Sequence, residues 1–153
     1  MPILSGGDAF WLDSRTLAHV VGDRIYAVSL EYKTKPEYTS WSVDSSSPYL
    51  IGIFPEGSGP YGFKFNGEVL VFVSKVYADY DLKTIKEQDE AWDNRGTTAM
   101  VYDSLFVRHW DTYRGPKSQK LFSVALTKGV DGKWALGTDY YTPLKGTKHV
   151  RPP

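Results

Sequence analysis

Short apolar or β-branched runs separated by turn-forming residues set the pattern of this chain. Ala9–Leu12, Thr16–Val21 and Arg24–Leu30 are divided by Asp13-Ser14-Arg15 and Gly22-Asp23, which predicts a strand meander whose second break is a tight hairpin. From Glu31 to Ser47 the chain turns polar and ends in Asp44-Ser45-Ser46-Ser47-Pro48. So little apolar surface to offset backbone ordering predicts a surface loop. Tyr49–Phe54 is strand-like again, followed by the chain-reversing cluster Pro55–Pro60. Tyr61–Phe65 and Glu68–Ser74 flank Asn66-Gly67, the strongest short-range hairpin signal present.

Asp79 to Asp93 differs in kind. It carries six carboxylates and two lysines, with apolar side chains only at Leu82, Ile85, Ala91 and Trp92, and predicts a short, solvated helix. Strand character resumes after Asn94-Arg95-Gly96 in Ala99–Tyr102, Ser104–Trp110 and Lys120–Leu126, and Asp131-Gly132 turns into Lys133–Leu136. The tail from Pro143 to Pro153 is polar, weakly basic and expected to fray. About eight to ten short strands, one polar helix and no alternation of strands with long amphipathic helices predict an all-β antiparallel fold. A propeller blade needs about 40 to 45 residues and four strands, so the length suits about three to four blades. By counting alone, a sandwich or barrel fits equally well.

Composition narrows the function classes. The chain has 153 residues, 18 basic and 18 acidic, so its net charge favours neither nucleic acid nor an anionic membrane as partner. Aromatics make up 15% of it, with 14 glycines and 9 prolines, as expected of short strands joined by tight turns. With no cysteine, disulfides and thiolate metal sites are excluded. The segment Met1–Asp8 lacks a basic region followed by an apolar stretch, and no apolar run approaches the roughly 18 residues of a membrane helix. A soluble, untargeted chain is the expectation from these features.

A family resemblance is carried by Val76-Tyr77-Ala78-Asp79 through Lys83–Gly96, followed by Val101-Tyr102-Asp103 and Phe106–Asp111. This stretch resembles the propeller of fungal dipeptidyl-peptidase V-like serine peptidases of the prolyl oligopeptidase family. Gly6–Leu12 and Gly115–Ser118 through Leu121–Val124 look like flanking parts of the same propeller. The resemblance implies that residues 1–153 are one partial propeller segment of a secreted hydrolase. It also implies a separate α/β-hydrolase domain as partner, with the propeller restricting access of peptides to a Ser-Asp-His triad there. This chain contains no Gly-x-Ser-x-Gly, the strained turn that raises the nucleophile in such domains. Family-type catalysis is therefore not expected of it, nor any cofactor. The alternative is a stand-alone β-rich interaction module, and a small independent sandwich is a third reading.

Several constellations invite chemistry and also have plainer explanations. His19, His109 or His149 could be combined on paper with serines and aspartates, but a triad is defined by geometry, and none is expected. His19, in an apolar run, reads as a core or edge-of-sheet histidine with one satisfied nitrogen, and His149 as a solvated one. Asp79, Asp81 and Glu90 occupy the first, third and twelfth positions of an EF-hand-like loop, but Lys83 and Thr84 replace the next ligand and the turn glycine. A solvated helical face is the better reading, and no metal is expected. On a strand, Arg108 and Trp110 would share one face. They are candidate substrate-binding residues through a carboxylate, a carbonyl or stacking. The plainer account is a structural pair of Arg108 with Asp103 or Asp111. Trp41, Tyr32 and Tyr38 could form a ligand platform or cover the core.

Overall fold

Strict alternation of buried and less buried positions builds the central strands. Along Thr16–Val21, the residues Thr16, Ala18 and Val20 are buried while Leu17 and His19 are half-buried. Along Val69–Val76, the buried set is Leu70, Phe72, Ser74 and Val76. The period of two places each set on one face of a pleated sheet. The computed structural model describes residues 8–35, 38–43, 48–99, 108–109, 112–113 and 115–147, with side chains for 8–30, 48–99 and 115–147.

Two antiparallel sheets result. The first contains β1 (Ala9–Trp11), β2 (Thr16–Val21), β3 (Arg24–Lys35), β4 (Tyr38–Val43) and β5 (Tyr49–Ile53). Their order is β1-β2-β3, after which β5 pairs with the first part of β3 and β4 with its remainder. The second contains β6 (Tyr61–Phe65), β7 (Val69–Val76), β10 (Ser118–Lys128) and β11 (Trp134–Tyr141), in the order β6-β7-β10-β11. Between β7 and β10 lie the helix α1 (Ile85–Asp93) and a two-stranded ribbon of β8 (Arg108–His109) and β9 (Thr112–Tyr113). The chain is thus all-β with one short helix, and its two sheets each contain a four-stranded run of the kind a propeller blade provides. Among the described residues there are two such runs and no helix long and apolar enough to cross a membrane.

The sheets stack face to face with corresponding strands opposed, β1 on β6 and β5 on β11. Between them runs an aromatic seam. Phe10 stacks on Phe63 at 5.6 Å between ring centroids, Phe54 meets Phe72 edge-on at 5.1 Å, and Phe72 stacks on Phe122 at 5.9 Å. Ala18, Val20, Ile25, Ala27, Leu70 and Val124 fill the remaining space and are all at most 3% exposed.

Two local expectations differ from the structure. Residues 31–35 and 38–43 are not a loop, because β3 continues to Lys35 and pairs with β4 in the register Tyr32↔Trp41, Thr34↔Thr39 and Lys35↔Tyr38. Aromatic and β-branched residues opposite one another favour such pairing even in a polar stretch. The helix spans only Ile85–Asp93, because residues 79–84 form a turn held by their own side chains. The Gly22-Asp23 hairpin is present, closed by Val21↔Arg24, and Gly22 has φ 61°.

At Gly52 the sheets come close together. A Cβ built there would lie 2.5 Å from the Leu136 Cβ, so any side chain would push β5 away from β11. Gly52→Ala is expected to lower stability by about 1–3 kcal/mol through overpacking. Gly115→Ala, where nothing lies within 4 Å, should stay within about 0.5 kcal/mol of the parent. Urea unfolding followed by tryptophan fluorescence compares them, and equal effects would contradict the close approach.

Candidate functional site

The turn before α1 and the end of β11 together shape a cleft. Asp79 organises its first wall. The Asp79 Oδ2 accepts hydrogen bonds from the Thr84 hydroxyl at 2.7 Å and the Gln88 amide at 2.6 Å, while Oδ1 accepts from the Asp81 N–H at 3.2 Å. Partial burial alone would raise the pKa of Asp79, but these donors outweigh it and hold the carboxyl below its usual range. Asp81 in turn accepts the Lys83 N–H at 2.8 Å. Within this network Tyr80 lies in the left-handed region, φ 61°, the sole non-glycine residue of that kind among the described residues. Its ring lies beneath the Lys120 ammonium, 4.7 Å from the centroid.

The cleft has a volume of 650 Å³, within the range of about 300–1,000 Å³ usual for small-molecule sites. Its walls include Tyr80, Lys83, Asp139, Tyr141 and Lys145, above the buried Phe122. Tyr140, whose pKa is raised by burial, divides it from a second hollow of 530 Å³ reaching Ile53, Phe54 and Leu136. Lys83 and Tyr140 line both.

Behind the cleft, Asp89 of α1 ties the helix to the second sheet. It accepts hydrogen bonds from the Tyr77 hydroxyl and the Lys117 ammonium, each at 2.8 Å. Burial raises the Asp89 pKa, but the Lys117 and Tyr77 hydrogen bonds outweigh it and the net shift is downward. The Tyr77 phenol is pushed up to about 12 by burial first and then by the Asp89 carboxylate.

Most residues singled out from sequence are not brought together here. The backbone of Arg108 pairs with Tyr113 and that of His109 with Thr112, but their side chains, like Trp110, Asp103, Asp111 and His149, lie outside the described residues. The same holds for the side chains of Tyr32, Tyr38 and Trp41. His19 faces away from the seam and stacks on Tyr26 at 5.5 Å; burial lowers its pKa. Its Nδ1 is buried without a hydrogen-bond partner, which leaves Nε2 as the nitrogen that the sequence reading expects to be satisfied. Asp79 spends both carboxylate oxygens, and Asp81 its Oδ1, on the turn itself. The residues that do line the cleft, Tyr80, Lys83, Asp139 and Lys145, carry no motif.

A stretch of 110 residues, 69% of the chain, is 35% identical to the dipeptidyl-peptidase 5 of Arthroderma otae. The chain is related to fungal dipeptidyl-peptidase 5. A 35-residue stretch, 23% of the chain, is 60% identical to the dipeptidyl-peptidase 5 of Trichophyton equinum and, equally, to that of Trichophyton tonsurans. The chain spans only 14% of the length of the Arthroderma relative and 5% of the Trichophyton ones in these matches. No family model and no solved structure matches it.

The folded-state pKa values of Asp79 and Asp89 lie below their unfolded values. Their contribution to stability is therefore full above about pH 4 and lost as pH falls through the folded values. Thermal melts from pH 5 down to pH 2 (about the range that spans these pKa values) should show a shallower decline for Asp89→Asn than for the parent. Identical declines would contradict the Asp89 assignment.

Proposed function

We propose that this chain is a section of the β-propeller of a dipeptidyl-peptidase 5-like serine peptidase. In the whole protein it helps restrict peptide access to a separate α/β-hydrolase domain, and the chain alone does not catalyse. Secretion belongs to the same proposal. The relatedness to dipeptidyl-peptidase 5 supports this reading, and one structural observation carries it.

That observation is the set of apolar residues on the two outer faces, which also carry His19 and Arg24 on the first sheet and Lys64 and Ser123 on the second. On the first sheet, the register places Leu17 and Val28 opposite one another, and Tyr26 opposite Leu50, on the face turned away from the seam; Leu50 is 46% exposed. On the second sheet, Tyr61, Val73 and Leu121 form one cross-strand row of the outer face, with Val71 beside them; Tyr61 is 37% exposed. A free-standing two-sheet sandwich directs polar residues outward at these positions. Apolar side chains on both outer faces suit a stack that continues on either side, as neighbouring blades do in a propeller. The covering elements in this reading are further antiparallel sheets of the same longer polypeptide.

Two outcomes test it. The purified chain should show no turnover of dipeptidyl substrates, and robust turnover would overturn the assignment. On size-exclusion chromatography it should elute as heterogeneous associated species, and Leu50→Lys combined with Tyr61→Lys should shift it toward monomer. A monodisperse, cooperatively unfolding monomer of the parent chain would favour an independent interaction module instead.

A further inference from the structure

We propose that the cleft between the 79–83 turn and the end of β11 binds a short zwitterionic peptide. The uncommitted groups point to this chemistry. Asp79 accepts three hydrogen bonds and Asp81 one from their own turn, whereas among the described residues the side chains of Lys83, Asp139 and Lys145 form no ion pair or hydrogen bond. Two ammonium groups and the Asp139 carboxylate thus face the same space, beside the carboxylates of Asp79 and Asp81, whose hydrogen-bond donors are neutral groups. A ligand with a carboxylate for the lysines and an ammonium for Asp139 complements them, and a single charge of either sign does not.

The apolar part of the cleft sets the remaining requirement. Phe122 forms its floor, and Tyr80, Tyr140 and Tyr141 contribute ring surface, which suits an apolar or aromatic side chain on the ligand. Tyr80 is held at φ 61°, a conformation costly for a bulky residue and free of cost for glycine. A tyrosine kept there within the Asp79 network serves the cleft and works against the stability of the turn. The peptide class of the ligand rests on the proposed peptidase context, while the match of charges and rings does not.

The probe is glycylphenylalanine, titrated into the chain and followed by NMR chemical shifts at Tyr80, Lys83 and Asp139. Saturable binding is expected, weakened by about tenfold or more when the probe carboxylate is amidated or its amine acetylated. Tyr80→Gly should weaken binding to a similar degree while leaving the melting temperature unchanged or raised. Tyr80→Phe should bind as the parent does. Loss of binding in Tyr80→Gly accompanied by a lower melting temperature would assign Tyr80 to the fold and overturn its role in the site. Absence of saturable binding overturns the site, and equal affinity for 6-aminohexanoate overturns the peptide assignment. Neither result bears on the sheet stacking, which elution behaviour reads separately.

Discussion

The aromatic seam between the two sheets is the interaction on which the remaining structure depends. Phe10 and Phe54 approach it from the first sheet, Phe63, Phe72 and Phe122 from the second, and their contacts set the spacing and alignment of the layers. Aromatic rings bury large areas and prefer offset or edge-on geometry, so the seam fixes more than a distance. It places β1 on β6 and β5 on β11. Where the rings give way to Gly52 and Leu136, the sheets approach until no Cβ is tolerated. Ser74, buried on the seam face of β7, donates its hydroxyl to the Ser58 carbonyl and so ties the turn between β5 and β6 to the same core.

The cleft follows from that alignment. Phe122 and Tyr140 belong to the seam on one side and to the cleft on the other. The turn that faces them is anchored twice, by Asp79 to the start of α1 and by Asp89 to Tyr77 and Lys117. Asp79, Asp81 and Asp89 of the acidic stretch therefore act as a local fastening for one wall. The start of the insertion between β7 and β10 is held against the sheet by the Asp89 contacts and by Leu82 and Ile85, which are buried in the same core.

What the sequence made legible were the features governed by neighbouring residues. Alternation in Thr16–Val21 and Val69–Val76 and the turns at Gly22-Asp23 and Asn66-Gly67 depend on local backbone preference. They reappear in the structure, where the Asn66 side chain accepts the N–H groups of Glu68 and Val69. Residues 31–35 and 38–43 form strands despite their polarity, because aromatic and β-branched residues pair across them. The strand β11 runs on to Tyr141, well past Leu136, since pairing with β10 resumes after an irregularity between Val124 and Leu126. The cleft was not legible at all. Its walls come from segments distant in sequence, and its most distinctive feature, the left-handed Tyr80, sits among side-chain hydrogen bonds that no residue pattern announces.

If two blade-like sheets with apolar outer faces are the interior of a longer stack, those faces must be covered in the whole protein. The most direct measurement is an experimental structure of the intact dipeptidyl-peptidase 5 of Arthroderma otae. The account predicts that the segment matching this chain forms two adjacent four-stranded sheets, with a further antiparallel sheet packed on each outer face. Solvent on both faces, or a matching segment that does not form two stacked sheets, would contradict it.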